Sequence, residues 1–162
     1  MFIKKMIIFS AFFFFIFNTS SICIENKILI KIEDQIITSL DIKNEYKYLI
    51  ALNPNIKKSK ENDILKFSKR SIIQEKIKRL EIEKNFNKPK IASEYIEQIL
   101  KNIYSKIGLE NLDDFKEYLK LNDVNFDNVK NKLETEALWN ELILIKFSSK
   151  IKINEEKLKK KN

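Results

Sequence analysis

The pattern of apolar and polar positions divides the chain into a short extended start and a long helical remainder. In "IKIEDQIITSLDI", residues 30–42, isoleucines alternate with charged residues on the approach to a turn at Glu33-Asp34-Gln35. Strict alternation is the periodicity of a strand, so this stretch predicts a β-hairpin. The following Thr38-Ser39-Leu40-Asp41 resembles a capping box, which begins a helix. The sequence therefore predicts a hairpin whose second strand leads directly into a helix.

Two helices are predicted in the next part of the chain. The first is expected to end at Asn53-Pro54, because a residue that precedes proline avoids the α region. Ser59 is expected to cap a second, longer helix, which Asn87-Lys88-Pro89 breaks. Apolar residues at helical spacing predict the inward faces of these helices. They are Ile42, Tyr46, Leu49, Ile50, Ile64, Leu65, Ile72, Ile73, Ile77 and Leu80.

Three further helices are predicted in the second half. Ser93 begins the third, which stops at Gly108, the only glycine, in the left-handed position that often follows a helix. Asn111 caps a short fourth helix, and Asn122 ends it, since Asn tolerates positive φ. The fifth runs from 126 to about 148. The residues predicted to face inward are Ile96, Leu100, Ile103, Tyr104, Phe115, Tyr118, Leu119, Phe126, Val129, Leu133, Ala137 and Leu144.

The predicted hairpin needs a covering layer. Ile28, Ile30 and Ile32 form one apolar face, and two strands alone are marginally stable in water. Ile151 and Ile153 alternate with lysine near the other end of the sequence. We expect this run to be a third strand, or an extended segment beside the hairpin.

Residues 1–23 have the layout of a secretory signal peptide. Two lysines precede an apolar run at residues 6–17, and small polar residues follow, with cleavage expected between Cys23 and Ile24. The run is shorter than the roughly 20 residues of a transmembrane helix, so a permanent anchor is the weaker interpretation. The sequence therefore predicts a periplasmic protein with no cysteine and no stable membrane anchor after cleavage.

Composition favours one folded, helical domain. The chain has 162 residues, of which 44% are hydrophobic and 33% charged, and only one Gly and two Pro. Its net charge is +8, and 29 basic and 23 acidic residues, a charge of +6, remain after residue 23. Because only two of the basic residues are arginine, we interpret the charge as a solvated surface and not as a nucleic-acid interface.

The inventory of reactive side chains predicts a binding protein and not an enzyme. There is no histidine, which is the usual general base and the commonest metal ligand. One glycine cannot build a phosphate-binding loop. The acidic pairs Asp113-Asp114 and Glu155-Glu156 stand at predicted helix starts, where they complement the helix dipole. We therefore expect no catalytic residue, no metal and no cofactor.

The segment "ALWNELILIKF", residues 137–147, is apolar on more than one side. One interpretation is a central helix wrapped by its neighbours. The other is that part of this helix lines a groove for an apolar client, because Trp and aliphatic side chains supply large contact areas. The candidate client-binding residues are Trp139, Leu142, Ile143 and Phe147.

From about Asn26 to Leu158 the chain resembles the N-terminal domain of SurA-type periplasmic chaperones. The resemblance rests on the order and spacing of several stretches along the chain. These stretches are "IKIEDQIITSLDI", "ILKFSKRSIIQEKIKRLEIEK", "FNKPKIASEYIEQILKNI", "NLDDFKEYLKLNDVNFDNVKNKLETEALW" and "SSKIKINEEKL". It implies a mostly α domain over residues 24–158 with a short N-terminal β-hairpin, and a basic tail at 159–162.

Several departures from the family pattern matter. Gln35 stands where the hairpin turn often has Gly, so Asp34 is expected to take the strained position, and Asn122-Asp123 replaces another turn glycine. The family's parvulin-like prolyl isomerase domains, which use histidines, have no counterpart here. Nor does the C-terminal segment that completes the family's N-terminal domain, so we expect uncovered apolar surface that binds clients or mediates self-association.

The resemblance implies an ATP-independent holdase for unfolded outer-membrane proteins, without isomerase activity. Two alternatives stay open. One is an assembly or structural subunit that binds a single fixed partner through the same apolar face. The other is the chaperone part of a split peptidyl-prolyl isomerase.

Overall fold

The structure is a computed structural model that describes residues 26–87 and 91–148. In chain order the elements are β1 (Ile28–Ile32), β2 (Gln35–Thr38), α1 (Ser39–Leu52), a short 3-10 helix (Pro54–Lys58), α2 (Glu61–Asn85), α3 (Ser93–Lys106), α4 (Leu112–Leu121) and α5 (Phe126–Phe147). The prediction of a mostly helical domain with a short N-terminal hairpin is confirmed. The expected cleavage at Cys23 and Ile24, the run at Ile151 and Ile153, and the basic tail lie outside the described residues.

The two strands pair antiparallel, with Ile30 opposite Ile37 and Ile32 opposite Gln35. A β-bulge between Ile28 and Ile30 interrupts the regular alternation of side chains. The prediction that Ile28 shares a covered face with Ile30 and Ile32 is therefore wrong, since Ile28 is exposed while the other two are half-buried. The fully buried residue of the hairpin is Ile37, on the second strand.

The hairpin turn places Glu33, and not Asp34 as expected, in the left-handed region, with φ of 52°. Of the two turn residues only the first has positive φ, which is the pattern of a II′ turn. Lys84 Nζ lies 2.8 Å from Glu33 Oε1. This ion pair joins the turn to the last helical turn of α2.

The predicted capping box at the start of α1 is confirmed. The backbone N–H of Asp41 donates to Thr38 Oγ1 at 3.2 Å, and Thr38 N–H donates to Asp41 Oδ2 at 2.7 Å. The prediction that Ser59 caps the next helix is wrong. Pro54 begins a separate 3-10 helix, for which its fixed φ is suited, and α2 begins later, at Glu61, without a side-chain cap.

Two helices end in the same backbone motif. Gly108 has φ of 84° as predicted, and Leu109 N–H donates to the carbonyl of Tyr104 at 2.9 Å, as in a Schellman motif. At the end of α4 the left-handed residue is Asp123, with φ of 55°, and not Asn122, whose φ is −96°. Asn122 still ends the helix as predicted, but as the residue before the left-handed one.

A cluster of buried apolar residues joins α1, α3, α4 and α5. α5 packs against α2 on one side and against α3 and α4 on the other, while α1 packs against α2. This core cluster draws on α1, α3, α4, α5 and the turn before α5. Its members are Ala51, Ile96, Leu100, Phe115, Leu119, Val124, Val129, Leu133 and Ala137.

The predicted inward faces are confirmed at many positions and fail at others. Leu65 and Ile77 on α2 are exposed, although Ile64, Ile72 and Leu80 are buried as predicted. The apolar residues predicted for the α1 face, Ile42, Tyr46, Leu49 and Ile50, are only half-buried. On α5, Leu144 is 64% exposed, and the last buried residue is Leu142. The helix extends beyond Leu142, and residues 143–147 are all exposed.

Candidate functional site

A polar cleft lies where β2, α1, α2 and the first turns of α5 meet. Its volume is about 450 Å³, within the range of small-ligand sites. Strand β2 contributes Gln35, and α1 contributes Asp41, Asn44, Glu45 and Tyr48. The remaining lining residues are Ile72, Glu75, Lys76, Arg79, Glu83, Asp123, Val124, Asn125, Asn128, Asn131 and Lys132.

The floor of the cleft is a network of charged side chains from three helices. Lys132 Nζ of α5 lies 2.6 Å from Glu45 Oε2 of α1 and also contacts Glu75 Oε2 of α2. Arg79 Nη2 is 2.9 Å from the other oxygen of Glu75. Ser71 Oγ donates to Glu45 Oε1 at 2.7 Å. The network therefore links three helices that are distant in sequence.

Glu45 is the most deeply placed member, since only 1% of its side chain is exposed. A buried carboxylate is tolerated when a cation and hydrogen bonds compensate its lost hydration. Two carboxylates and two cations make the floor neutral. Lys132 Nζ, 2.6 Å from Glu45 Oε2, compensates the charge of this buried oxygen, and Ser71 Oγ donates to the other oxygen of the carboxylate.

Tyr48 forms part of the wall beside this network. Burial raises the pKa of the Tyr48 hydroxyl well above its usual range, and the negative charges of Glu45 and Glu75 raise it further. Lys132 Nζ lies 5.1 Å from the centre of the Tyr48 ring. The hydroxyl therefore stays protonated, while the lysine occupies the face of the ring.

Side-chain amides form the rim of the cleft. They come from β2, α1 and the start of α5, and they are Gln35, Asn44, Asn125, Asn128 and Asn131. Asn125 also caps α5, because its side-chain oxygen accepts from the backbone N–H of Asn128 at 3.0 Å. An amide offers both a donor and an acceptor, so this rim suits a neutral ligand with alternating polar groups.

The four candidate client-binding residues divide between the interior and the surface. Leu142 is 3% exposed, which leaves it inaccessible to a client, and its predicted role in binding is not supported by its position. Trp139 is half-buried, with Lys78 Nζ 6.0 Å from the ring centre. Ile143 and Phe147 are exposed. The structure therefore leaves two of the four candidates open on the surface.

Ile143 and Phe147 belong to a larger apolar surface at the end of α5. We call the four residues Ile143, Leu144, Ile145 and Phe147 the α5 patch. Their exposed fractions are 36%, 64%, 58% and 43%, respectively. Large apolar residues that are exposed singly are common, but four within five positions concentrate apolar surface around the end of one helix, as interaction sites do.

One side of α5 connects the cleft to the α5 patch. Lys132, Glu136, Trp139 and Ile143 are spaced by four, three and four residues, so they lie on one stripe of the helix. Lys78 covers the middle of this stripe, with its Nζ 2.6 Å from Glu136 Oε1. At a rise of 1.5 Å per residue, Ile143 lies roughly 17 Å along the helix from Lys132.

Sequence reasoning missed the cleft, although α1 contained a signal for it. Glu45 is three residues after Ile42 and four before Leu49, so a charged residue stands on the apolar side of an amphipathic helix. Such a residue needs a partner from elsewhere in the chain. Its partners, Ser71 and Lys132, are separated from it by 26 and 87 positions, and no local pattern identifies them.

Comparisons with known proteins do not assign the chain to a family. No family model matches it, and neither the curated proteins nor the solved structures include a significant match. Across residues 26–87 and 91–148, no helix is long and apolar enough to span a membrane. The same residues contain no group of three side chains placed to hold a metal ion.

Proposed function

We propose that this protein is an ATP-independent periplasmic chaperone that holds unfolded outer-membrane proteins. The observation that carries the proposal is the α5 patch, where Leu144 and Ile145 are more than half exposed. An unfolded outer-membrane protein presents extended segments with apolar residues along one side. An exposed apolar surface on a rigid helix binds such segments through many weak contacts, and weak contacts allow later release.

Two features of the sequence support the rest of the proposal. The signal-like segment at residues 1–23 favours export, which places the protein where such clients are unfolded. A chain with one glycine has no phosphate-binding loop of the glycine-rich kind, so holding without nucleotide hydrolysis is the expected mode.

The direct test is aggregation of an outer-membrane β-barrel protein. The barrel is unfolded in urea and diluted into buffer with or without the processed protein, and light scattering is followed without ATP. We expect suppression at near-stoichiometric ratios. A protein that is folded by circular dichroism but does not suppress scattering would contradict the proposal.

Matched variants locate the activity. We expect the double variant Leu144→Asn/Ile145→Asn to lose most of the suppression, because it makes the α5 patch polar. The control is Leu121→Asn on α4, which also replaces an exposed leucine (79% exposed) but lies outside the patch. Equal activity in the double variant and the control would remove the α5 patch from the proposal.

A capture experiment separates the proposal from the fixed-partner alternative. The processed protein is immobilised and incubated with periplasmic extract. Many unfolded outer-membrane proteins in the eluate support the holdase. One stoichiometric folded protein, lost with Leu144→Asn/Ile145→Asn, would instead identify an assembly subunit with a fixed partner.

A further inference from the structure

We propose that the polar cleft is a second binding site, which takes the main chain of an extended polypeptide segment. The proposal rests on the proposed function, because it assigns to the cleft the backbone of the same unfolded clients. The cleft then contributes contacts that do not depend on the client's sequence, while the α5 patch binds apolar side chains.

The charges of the cleft argue against an anionic ligand. In the floor, Lys132 and Arg79 balance Glu45 and Glu75. The whole lining is slightly acidic, which disfavours phosphate groups and therefore nucleic acid. Its acidic members are Asp41, Glu45, Glu75, Glu83 and Asp123, and its basic members are Lys76, Arg79 and Lys132. A neutral polar ligand fits this balance better than an anion.

The amides of the rim match the peptide group. A peptide unit carries one N–H donor and one carbonyl acceptor, and each Asn or Gln side chain offers the complementary pair. The side chains of Asn44, Asn128 and Asn131 are exposed and line the cleft from two helices. Contacts of this kind are made with the main chain, so they do not depend on the client's sequence. They require only that the bound segment is extended and solvent-accessible.

The wall of the cleft supplies one further group for a ligand. Glu45 is already held by Lys132 Nζ at 2.6 Å and by Ser71 Oγ at 2.7 Å, so it takes no part in binding. The Tyr48 hydroxyl, which lines the cleft beside it, remains protonated and can donate to a ligand carbonyl.

A sugar is the competing neutral ligand, and the cleft lacks the feature that best suits it. Sugar rings stack on open aromatic faces, because the C–H groups on one side of the ring are apolar. Tyr48 is the single aromatic residue in the lining, and Lys132 already lies over its ring at 5.1 Å. The peptide main chain needs no stacking surface, so it is the favoured occupant.

The geometry relates the cleft to the α5 patch. The stripe from Lys132 to Ile143 is roughly 17 Å long. An extended chain advances about 3.3 Å per residue, so roughly five residues span this distance. A client segment can therefore reach both sites when an apolar residue lies about five positions from the residues that occupy the cleft. We expect such a segment to bind more tightly than a segment that reaches only the cleft or only the α5 patch.

The test is a titration of the ¹⁵N-labelled processed protein with a capped ten-residue peptide of Gly, Ser and Ala, which carries only small side chains. Amide side-chain signals of Asn44, Asn128 and Asn131 report on the rim. We expect these signals to shift and saturate. A peptide of the same sequence with alternate backbone nitrogens methylated should produce at least fivefold weaker binding, because it lacks half of the N–H donors.

Variants assign the binding to the cleft. Asn128→Ala/Asn131→Ala removes two exposed amides and is expected to weaken binding of the unmethylated peptide about five- to tenfold. The control is Asn140→Ala, an exposed asparagine of α5 that does not line the cleft. Equal binding by the double variant and the control would overturn the proposal, as would equal binding of the methylated peptide.

The outcomes separate this proposal from the proposed function. If the peptide does not shift the rim signals but Leu144→Asn/Ile145→Asn still loses suppression of aggregation, the cleft proposal fails and the holdase stands. If a neutral oligosaccharide shifts the rim signals and the peptide does not, the cleft is a sugar site. If peptide binding and suppression are both absent, the proposed function fails as well.

Discussion

At the scale of single residues, two helix ends use the same left-handed position with different side chains. Gly108 after α3 and Asp123 after α4 have φ of 84° and 55°. The conformation costs an ordinary residue roughly 1–2 kcal/mol and glycine almost nothing. Asp123 offsets part of this cost through an exposed ion pair, because its Oδ2 lies 3.2 Å from Lys47 Nζ.

We expect Gly108→Ala to lower the free energy of unfolding by about 1 kcal/mol, measured by urea denaturation. A Cβ at this position would meet no atom within 4 Å, so the loss reports backbone strain alone. Asp123→Gly should act in the opposite direction, with a gain smaller than about 1 kcal/mol because the ion pair with Lys47 is lost. A loss of stability in both variants would show that the Asp123 side chain matters more than its backbone strain.

The buried hydroxyl of Tyr48 predicts a dependence of stability on alkaline pH. Its pKa is raised in the folded protein, first by burial and then by Glu45 and Glu75. The unfolded chain releases this proton near pH 10, whereas the folded protein retains it, so stability falls as pH rises above about 10. One such proton changes the free energy of unfolding by up to about 1.4 kcal/mol per pH unit.

We therefore expect Tyr48→Phe to have a flatter decline in stability above pH 10 than the unmodified protein, as followed by thermal unfolding. Tyr95→Phe is the matched control, because Tyr95 is 49% exposed. Parallel pH curves for the unmodified protein and Tyr48→Phe would mean that Tyr48 ionises as readily in the folded protein as in the unfolded chain.

At the scale of elements, α5 combines a buried middle with an exposed end. Its middle contacts α2 and contributes to the core cluster, whereas residues 143–147 are exposed. Sequence reasoning offered a wrapped central helix and a groove-lining helix as alternatives. The structure matches neither fully: up to Leu142 the helix buries one part of its circumference and exposes another, and residues 143–147 are all exposed.

This division predicts a large loss of stability for one leucine-to-alanine substitution and almost none for another, although both remove the same atoms. Leu142→Ala should lower the free energy of unfolding by about 2–5 kcal/mol, because it leaves a cavity beside α5. Leu144→Ala should change it by less than about 0.5 kcal/mol, since the side chain is 64% exposed. Urea denaturation measures both values. Similar losses would mean that Leu144 is covered in solution, and that the α5 patch is smaller than proposed.

The elements that were predictable from sequence are those whose determinants are local. The capping box at Thr38, the cap at Asn111 and the end at Gly108 each depend on contacts within a few residues. The prediction failed at Ser59, because Pro54 begins an extra 3-10 helix that moves the start of α2. The cleft was not predictable, since Glu45 and Lys132 meet only after α1 and α5 have packed against α2.

At the scale of the whole molecule, net charge and local charge have different roles. The chain after residue 23 carries a net charge of +6, while the cleft lining is slightly acidic and the α5 patch is apolar. Long-range attraction of an acidic client therefore comes from the overall charge, and it does not come from the proposed contact surfaces. Attraction of this kind accelerates encounter and is screened by salt.

Salt should therefore lower the rate at which a client associates more than it lowers the amount of client that is held. For an unfolded client with net negative charge, we expect the association rate to fall several-fold between about 20 mM and 300 mM NaCl, as measured by stopped-flow fluorescence. The amount of client protected from aggregation at the end point should change much less, because apolar contacts on the α5 patch are not screened. A client without net charge provides the control and should associate at a rate that is nearly independent of salt. If protection at the end point falls in proportion to the association rate, then ionic contacts hold the client, and the α5 patch is not the surface that carries the function.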